Sequence, residues 1–196
     1  MKQQIKRRND ENQTLIFPDH PEFKPNLTPE QIFKSGSFGG TYFRPIYSSV
    51  TGKNYDRAWE EFPKQWFPTD LKYVNSSVCN AKTINKYKVA SGTSLGFWEN
   101  QGWITEYDPY GWVQWYCRFF LGRRTPDDER QIDRWNKIAG DVSGRWRKNL
   151  QNKIIKAANN KNFDKNDPKV LNDYSISPVI RQLLLQWAFE LKEISP

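Results

Sequence analysis

The stretch from Trp98 to Arg134 constrains the fold more than any other. It holds four of the chain's nine tryptophans (Trp98, Trp103, Trp112 and Trp115). Its middle reads as a helix that is apolar on nearly every side, with Gln114 and Arg118 as the only strongly polar residues inside it. A helix apolar all round is normally buried. A guanidinium carried into a core needs a carboxylate or an anionic ligand, because an unpaired buried charge is very costly. The segment is therefore expected to form the centre of the core and the floor of any site.

Capping signals set the helices around it. Asp108-Pro109 predicts a helix over 109–121 closed by Gly122, since aspartate caps and proline suits the first helical position. Thr125-Pro126 repeats the device, with Asp127, Asp128 and Glu129 in a first turn that favours anions and a stop at Gly140. Ser143 caps a further helix, and Ser177-Pro178 opens the last one, whose apolar stripe runs from Val179 to Leu191. The first ninety residues are patterned differently. Pro18, Pro21 and Pro25 impose an extended segment. Thr28-Pro29-Glu30-Gln31 is a capping box for a short helix stopped by Gly36. Thr41–Arg44 reads as a short strand in a hairpin-like unit turning at Ser49–Gly52. Helical turns broken at Pro63 follow, then a weakly patterned excursion over 68–93, and Ser94 caps a short helix ended by Gly102. The expected fold is mainly α, with α+β as the alternative. It is a single domain over 14–196 with a C-terminal helical body, wrapped by an irregular Pro- and aromatic-rich N-terminal half carrying a small hairpin. Residues 1–13 read as a disordered basic arm.

Charge narrows the partners. Thirty Lys+Arg against twenty-two Asp+Glu leave a net charge of +8, the electrostatic footprint of a nucleic-acid binder. Two cysteines, Cys79 and Cys117, are too few for a disulfide framework, and Cys117 in the apolar helix reads as an inert buried thiol. With His20 as the only histidine, no standard zinc site can be assembled, and neither metal nor cofactor is expected. No apolar run is long enough for a membrane span, and the polar first residues are not a secretory signal. The chain is thus expected in the cytoplasm or nucleus.

Three constellations carry possible chemistry. Gln114 and Arg118 are one helical turn apart and share a face. With Arg123 and Arg124 beyond the helix end they would receive a phosphate or carboxylate. Alternatively, Arg118 pairs internally with Asp127, Asp128 or Glu129 and fixes the angle between two helices. The Gly-rich segment Ser35–Thr41 would bring the backbone at Gly39 and Gly40 close to a phosphate, with Tyr42 and Arg44 beside it, or would simply be a helix C-cap and tight turn. Residues 145–165 hold Arg145, Arg147, Lys148, Lys153 and Lys156 against a single acid, Asp164. They read either as a solvated face or as a track along a phosphate backbone. For acid–base catalysis the candidates are Asp127, Asp128, Glu129, Asp108 and His20, with Asp128 and Glu129 foremost, although carboxylates in a first helical turn also suit dipole complements.

The motifs SGSFGGTYFRP, DPYGWVQWYCRFFLGRR, DDERQIDRW and SPVIRQLLLQWAFEL resemble an uncharacterised family of small Trp-rich proteins from fungi, algae and large DNA viruses. The resemblance covers most of the chain from Phe23 onward. It implies a viral or eukaryotic intracellular setting and brings no activity, fold or catalytic residue. The residues themselves point first to nucleic-acid binding through the basic helix and an Arg/aromatic pocket between the Gly-rich loop and the Trp112–Arg124 segment. An enzyme on a nucleotide or small phosphorylated substrate, with an arginine clamp and Asp128 or Glu129 as acid or base, is the second expectation. A scaffold or virion-associated structural protein is the third.

Overall fold

Trp115, Tyr116 and Cys117 are wholly buried, and the helix that carries them is the axis of the molecule. The structure, a computed structural model, describes residues 6–7 and 13–194; the rest of the arm expected over 1–13 lies outside the described residues. The helices are α1 (Pro29–Lys34), α2 (Ala81–Ile84), α3 (Leu95–Asn100), α4 (Trp112–Phe120), α5 (Asp128–Ala139), α6 (Arg145–Lys161), α7 (Pro168–Leu171) and α8 (Pro178–Gln186). Two short antiparallel pairs complete the fold. β1 (Lys6–Arg7) pairs with β2 (Leu15–Ile16), and β3 (Ile46–Ser48) with β4 (Lys53–Tyr55), Ile46 opposite Tyr55. The fold is mainly α with small hairpins.

Local chemistry explains most boundaries. The capping box of α1 is complete: the Thr28 hydroxyl accepts from Gln31 N at 3.2 Å, and the Gln31 side chain accepts from Thr28 N at 2.9 Å. The Ser94 hydroxyl caps α3 by accepting from Phe97 N. α5 ends at Gly140 as its sequence indicates.

Four expectations are corrected. α4 begins at Trp112, not at Pro109, because the Asp108 carboxylate is buried against Arg118 and Arg123 and cannot cap. Gly111 stands at the N-cap instead, where its φ of +82° suits glycine and a Cβ would meet Ile104 at 2.8 Å. Thr41–Arg44 is a turn, not a strand: Tyr42 and Phe43 are both buried, which successive residues of a half-buried strand cannot be. α8 stops at Gln186, short of Leu191. Ala188 turns to φ +55°, and its carbonyl accepts from Asn26 N and Leu27 N. Ser143 does not cap α6: Gly144 stands at that position, and the Ser143 hydroxyl donates to the Asn136 carbonyl at 3.1 Å.

The core has two aromatic centres joined by α4. Phe23 packs among Trp115, Tyr116, Phe119 and Trp135, with ring centroids 5.3–5.8 Å apart. Phe33, Tyr42, Phe43, Phe67 and Tyr110 form the other. Two of the buried polar tips are matched on α4: Trp115 Nε1 donates to Asp128 at 2.8 Å, and Tyr116 Oη to the Leu27 carbonyl at 2.7 Å. The 68–93 excursion is pinned onto the Gly-rich turn. Asn80 N and Ser76 N donate to the carbonyls of Gly39 and Gly40, Lys86 N to that of Gly36, and Gly39 N to Asn85 Oδ1 at 2.6 Å.

Candidate functional site

Arg118 has protein partners at every donor. Its Nε and Nη2 form a fork on Glu61 (2.7–3.0 Å), while Nη1 donates to Asp108 Oδ1 at 3.0 Å and the Tyr107 carbonyl at 2.6 Å. Burial opposes its charge, but Glu61 and Asp108 outweigh burial and hold the guanidinium more firmly protonated than usual. Gln114 joins the same network: Nε2 donates to Glu61, and Oε1 accepts from Tyr110 N. Arg123 takes the second oxygen of Asp108 at 2.5 Å. Arg124 pairs with Asp19 and lies over the Phe119 ring. The partners of Arg118 are thus Glu61 and Asp108, not the Asp127, Asp128 or Glu129 considered from sequence. This cluster ties the helix to the preceding loops.

Asp128 and Glu129 are not brought together. The Asp128 oxygens accept from Trp115 Nε1, Thr125 N and the Thr125 hydroxyl, whereas Glu129 is exposed. At the Gly-rich turn, a Cβ on Gly39 would lie 2.3 Å from Cys79 Sγ, and one on Gly40 2.3 Å from the Lys72 carbonyl. These glycines admit the 68–93 excursion. On α6, Arg145, Lys148, Lys153 and Lys156 are exposed. Arg147 turns inward over Phe189 (4.8 Å), with its buried Nε unbonded among the described residues, and burial pushes its pKa down against the pull of Asp141.

A cavity of about 830 Å³ opens between the Gly-rich segment, α3, the start of α4, α5 and α8. Of the residues that the sequence assigns to an Arg/aromatic pocket, Tyr42, Arg44 and Trp112 line it, whereas Gly39, Gly40, Gln114, Arg118, Arg123 and Arg124 do not. Five of the nine tryptophans do so: Trp98, Trp103, Trp112, Trp146 and Trp187. The charged residues of its lining are Arg44, Arg134 and Lys137, with no aspartate, glutamate or histidine among them. Arg44 donates to the Thr41 carbonyl of its own turn.

Arg134 is the residue that sequence reasoning missed. Its guanidinium carbon lies 5.2 Å from the Trp103 ring centre and 5.4 Å from that of Trp187. Nη1 donates to Gln131 Oε1 at 2.9 Å and more weakly to the Trp103 carbonyl. No carboxylate of the described residues pairs with it. Burial, followed by the charge of Arg130, brings its pKa down to about 10 in spite of Asp127. A signal was present in the sequence. In an acid-rich segment, the helical neighbours of Arg134 at three and four residues are Gln131, Arg130, Lys137 and Ile138, none of them acidic.

Gln186 closes one end of the cavity. Its Nε2 donates to the Ser37 carbonyl at 2.8 Å and the Ser91 carbonyl at 3.3 Å. One turn earlier, Gln182 clamps Gly36 and Ser37 in the same way. The two tyrosine hydroxyls of the cavity stay protonated at neutral pH. Burial drives the Tyr42 hydroxyl well above its usual value, and that of Tyr110 to about 12. No family model, curated protein or solved structure matches the chain. Among the described residues, no helix is long and apolar enough to cross a membrane, and no group of three or more metal-ligating side chains occurs.

Proposed function

We propose that the protein binds nucleic acid, with an unpaired base entering the aromatic cavity and phosphates held at its rim and along α6. The observation that carries this reading is the lining itself: five indoles, three cations and no carboxylate. Aromatic faces stack on any base, at about 1–3 kcal/mol each, and cations neutralise the backbone. Trp146 belongs both to the cavity and to α6, a helix without an acidic residue. The exposed cations of α6 therefore continue the positive field of the rim. The cavity size falls in the ordinary range for ligand sites, roughly 300–1,000 Å³. A lining without Asp, Glu or His favours binding over acid–base catalysis.

Anisotropy titrations of labelled single-stranded DNA and RNA and of the matching duplexes, between about 50 and 200 mM salt, test the proposal. Single strands should bind more tightly than duplexes, since a paired base cannot enter the cavity. Affinity should fall linearly on a log–log plot, by roughly 0.7 per neutralised phosphate for single strands. No binding at low salt, or binding indifferent to salt, sinks the reading.

A further inference from the structure

Gln182 and Gln186 sit one turn apart on α8 and make the same clamp on the Gly-rich turn, yet they differ at one atom. The carboxamide oxygen of Gln182 accepts from Tyr87 N at 3.2 Å. That of Gln186 accepts nothing among the described residues, although the side chain is nine-tenths buried. The amide cannot turn over to find a partner. Both of its neighbours, Ser37 O and Ser91 O, are carbonyl acceptors, so the NH₂ must face them and Oε1 must face away. Oε1 faces Gly92, where a Cβ would lie 3.6 Å from it and 4.0 Å from the Trp98 ring. A hydrogen in place of a side chain leaves that approach open from the cavity.

Oε1 is reached from the cavity, so water donates to it in the free protein and a ligand's N–H can take that place. The rest of the cavity supplies the opposite chemistry. Arg44, Arg134 and Lys137 only donate, and the walls are flat rings. A ligand that satisfies all of these has a planar aromatic body, an N–H on its edge and an anionic group.

We propose that the cavity binds one nucleoside monophosphate unit: the base stacks on the indoles and donates an N–H to Gln186 Oε1, and the phosphate meets Arg134. This rests on the nucleic-acid reading above and adds to it the orientation of the base and the group that recognises its edge. A planar carboxylic acid without an N–H would stack and pair but leave Gln186 unsatisfied.

The test varies the ligand, because replacing Gln186 also removes the clamp on Ser37. The four ribonucleoside 5′-monophosphates are titrated by tryptophan fluorescence. Each is compared with a counterpart lacking the donor: purine in place of adenine, 2-pyrimidinone in place of cytosine, 3-methyluracil in place of uracil, and 1-methylhypoxanthine in place of guanine. The tightest of the four should lose roughly 5- to 150-fold in affinity without its N–H. Removal of its phosphate should weaken binding to the wild type by tenfold or more, and to Arg134→Met by less than twofold. If none of the four binds, or donor-free counterparts bind equally well, the inference is overturned. If oligonucleotides meanwhile bind with the expected salt dependence, the nucleic-acid reading survives alone; if they too fail, both fall.

Discussion

Replacing Arg134 by methionine should leave the unliganded protein about as stable as the wild type, or slightly more so. The guanidinium is held at a pKa of about 10, some two and a half pH units below the usual arginine value, chiefly by burial. At about 1.4 kcal/mol per unit, that is a cost of about 3.5 kcal/mol for keeping the charge in the cavity wall. Against it stand two ring contacts at 5.2 and 5.4 Å and one good hydrogen bond to Gln131. The rings contribute about 0.5–1 kcal/mol each and the bond about 1 kcal/mol. The two sides nearly cancel, with a surplus of about 0.5–1.5 kcal/mol in favour of methionine, whose thioether suits an aromatic wall. Because the depressed group is a base, its cost is fully present below pH 10 and is relieved as pH climbs further. Wild-type and variant stabilities should therefore run parallel from pH 6 to 9, and the wild type should gain on the variant above pH 10. Urea unfolding with a common slope measures the difference. A loss of more than about 2 kcal/mol in Arg134→Met would refute the reasoning, since it would make the residue a structural element like Arg118.

Arg118→Met is the counterpart: it leaves Glu61 with Gln114 and the buried Asp108 with Arg123 as their remaining partners and should cost about 3 kcal/mol in the same assay, the low end for a broken buried pair. Gly39→Ala should lower the melting temperature, because the new methyl meets Cys79 Sγ at 2.3 Å and φ is +59°. Adding Cys79→Gly should restore only part of the loss, the left-handed conformation alone costing about 1–2 kcal/mol. The Arg124 hydrogen bond outweighs the effect of burial and holds the Asp19 carboxyl below its usual pKa, so its contribution is present above the ordinary aspartate range and is lost as pH falls through the depressed value. Asp19→Asn should accordingly flatten the acid limb of a stability-versus-pH curve.

The elements legible from sequence were those decided by neighbours in the chain. The capping box at Thr28–Gln31, the Ser94 cap, the Gly140 stop and the buried helix at Trp112–Phe120 all follow from local hydrogen bonding and periodicity. Of the cavity, only Tyr42, Arg44 and Trp112 were named from sequence, because the reading centred the pocket on Arg118. What was not legible depends on distant partners. Arg118 finds Glu61 across fifty-seven positions, and that pairing moves the unpartnered cation of the site from α4 to Arg134 on α5. Asp108-Pro109 has every local mark of a helix start, yet two guanidinium groups claim the carboxylate. The weakly patterned excursion carries few apolar anchors because it is held by backbone bonds to Gly36, Gly39 and Gly40, which leave no trace in side-chain periodicity. Arg147 lies among exposed cations on the helix surface in sequence, but its place on α6 turns it onto Phe189.

The central claim is that the aromatic cavity is where nucleic acid is held. The most direct measurement is the affinity of a short single-stranded oligonucleotide for the wild type and for Arg134→Met, at one low salt concentration and with both proteins shown to be folded. The account predicts a loss of tenfold or more, together with tryptophan quenching on binding to the wild type. Equal affinity for the two proteins, with no quenching, would contradict it.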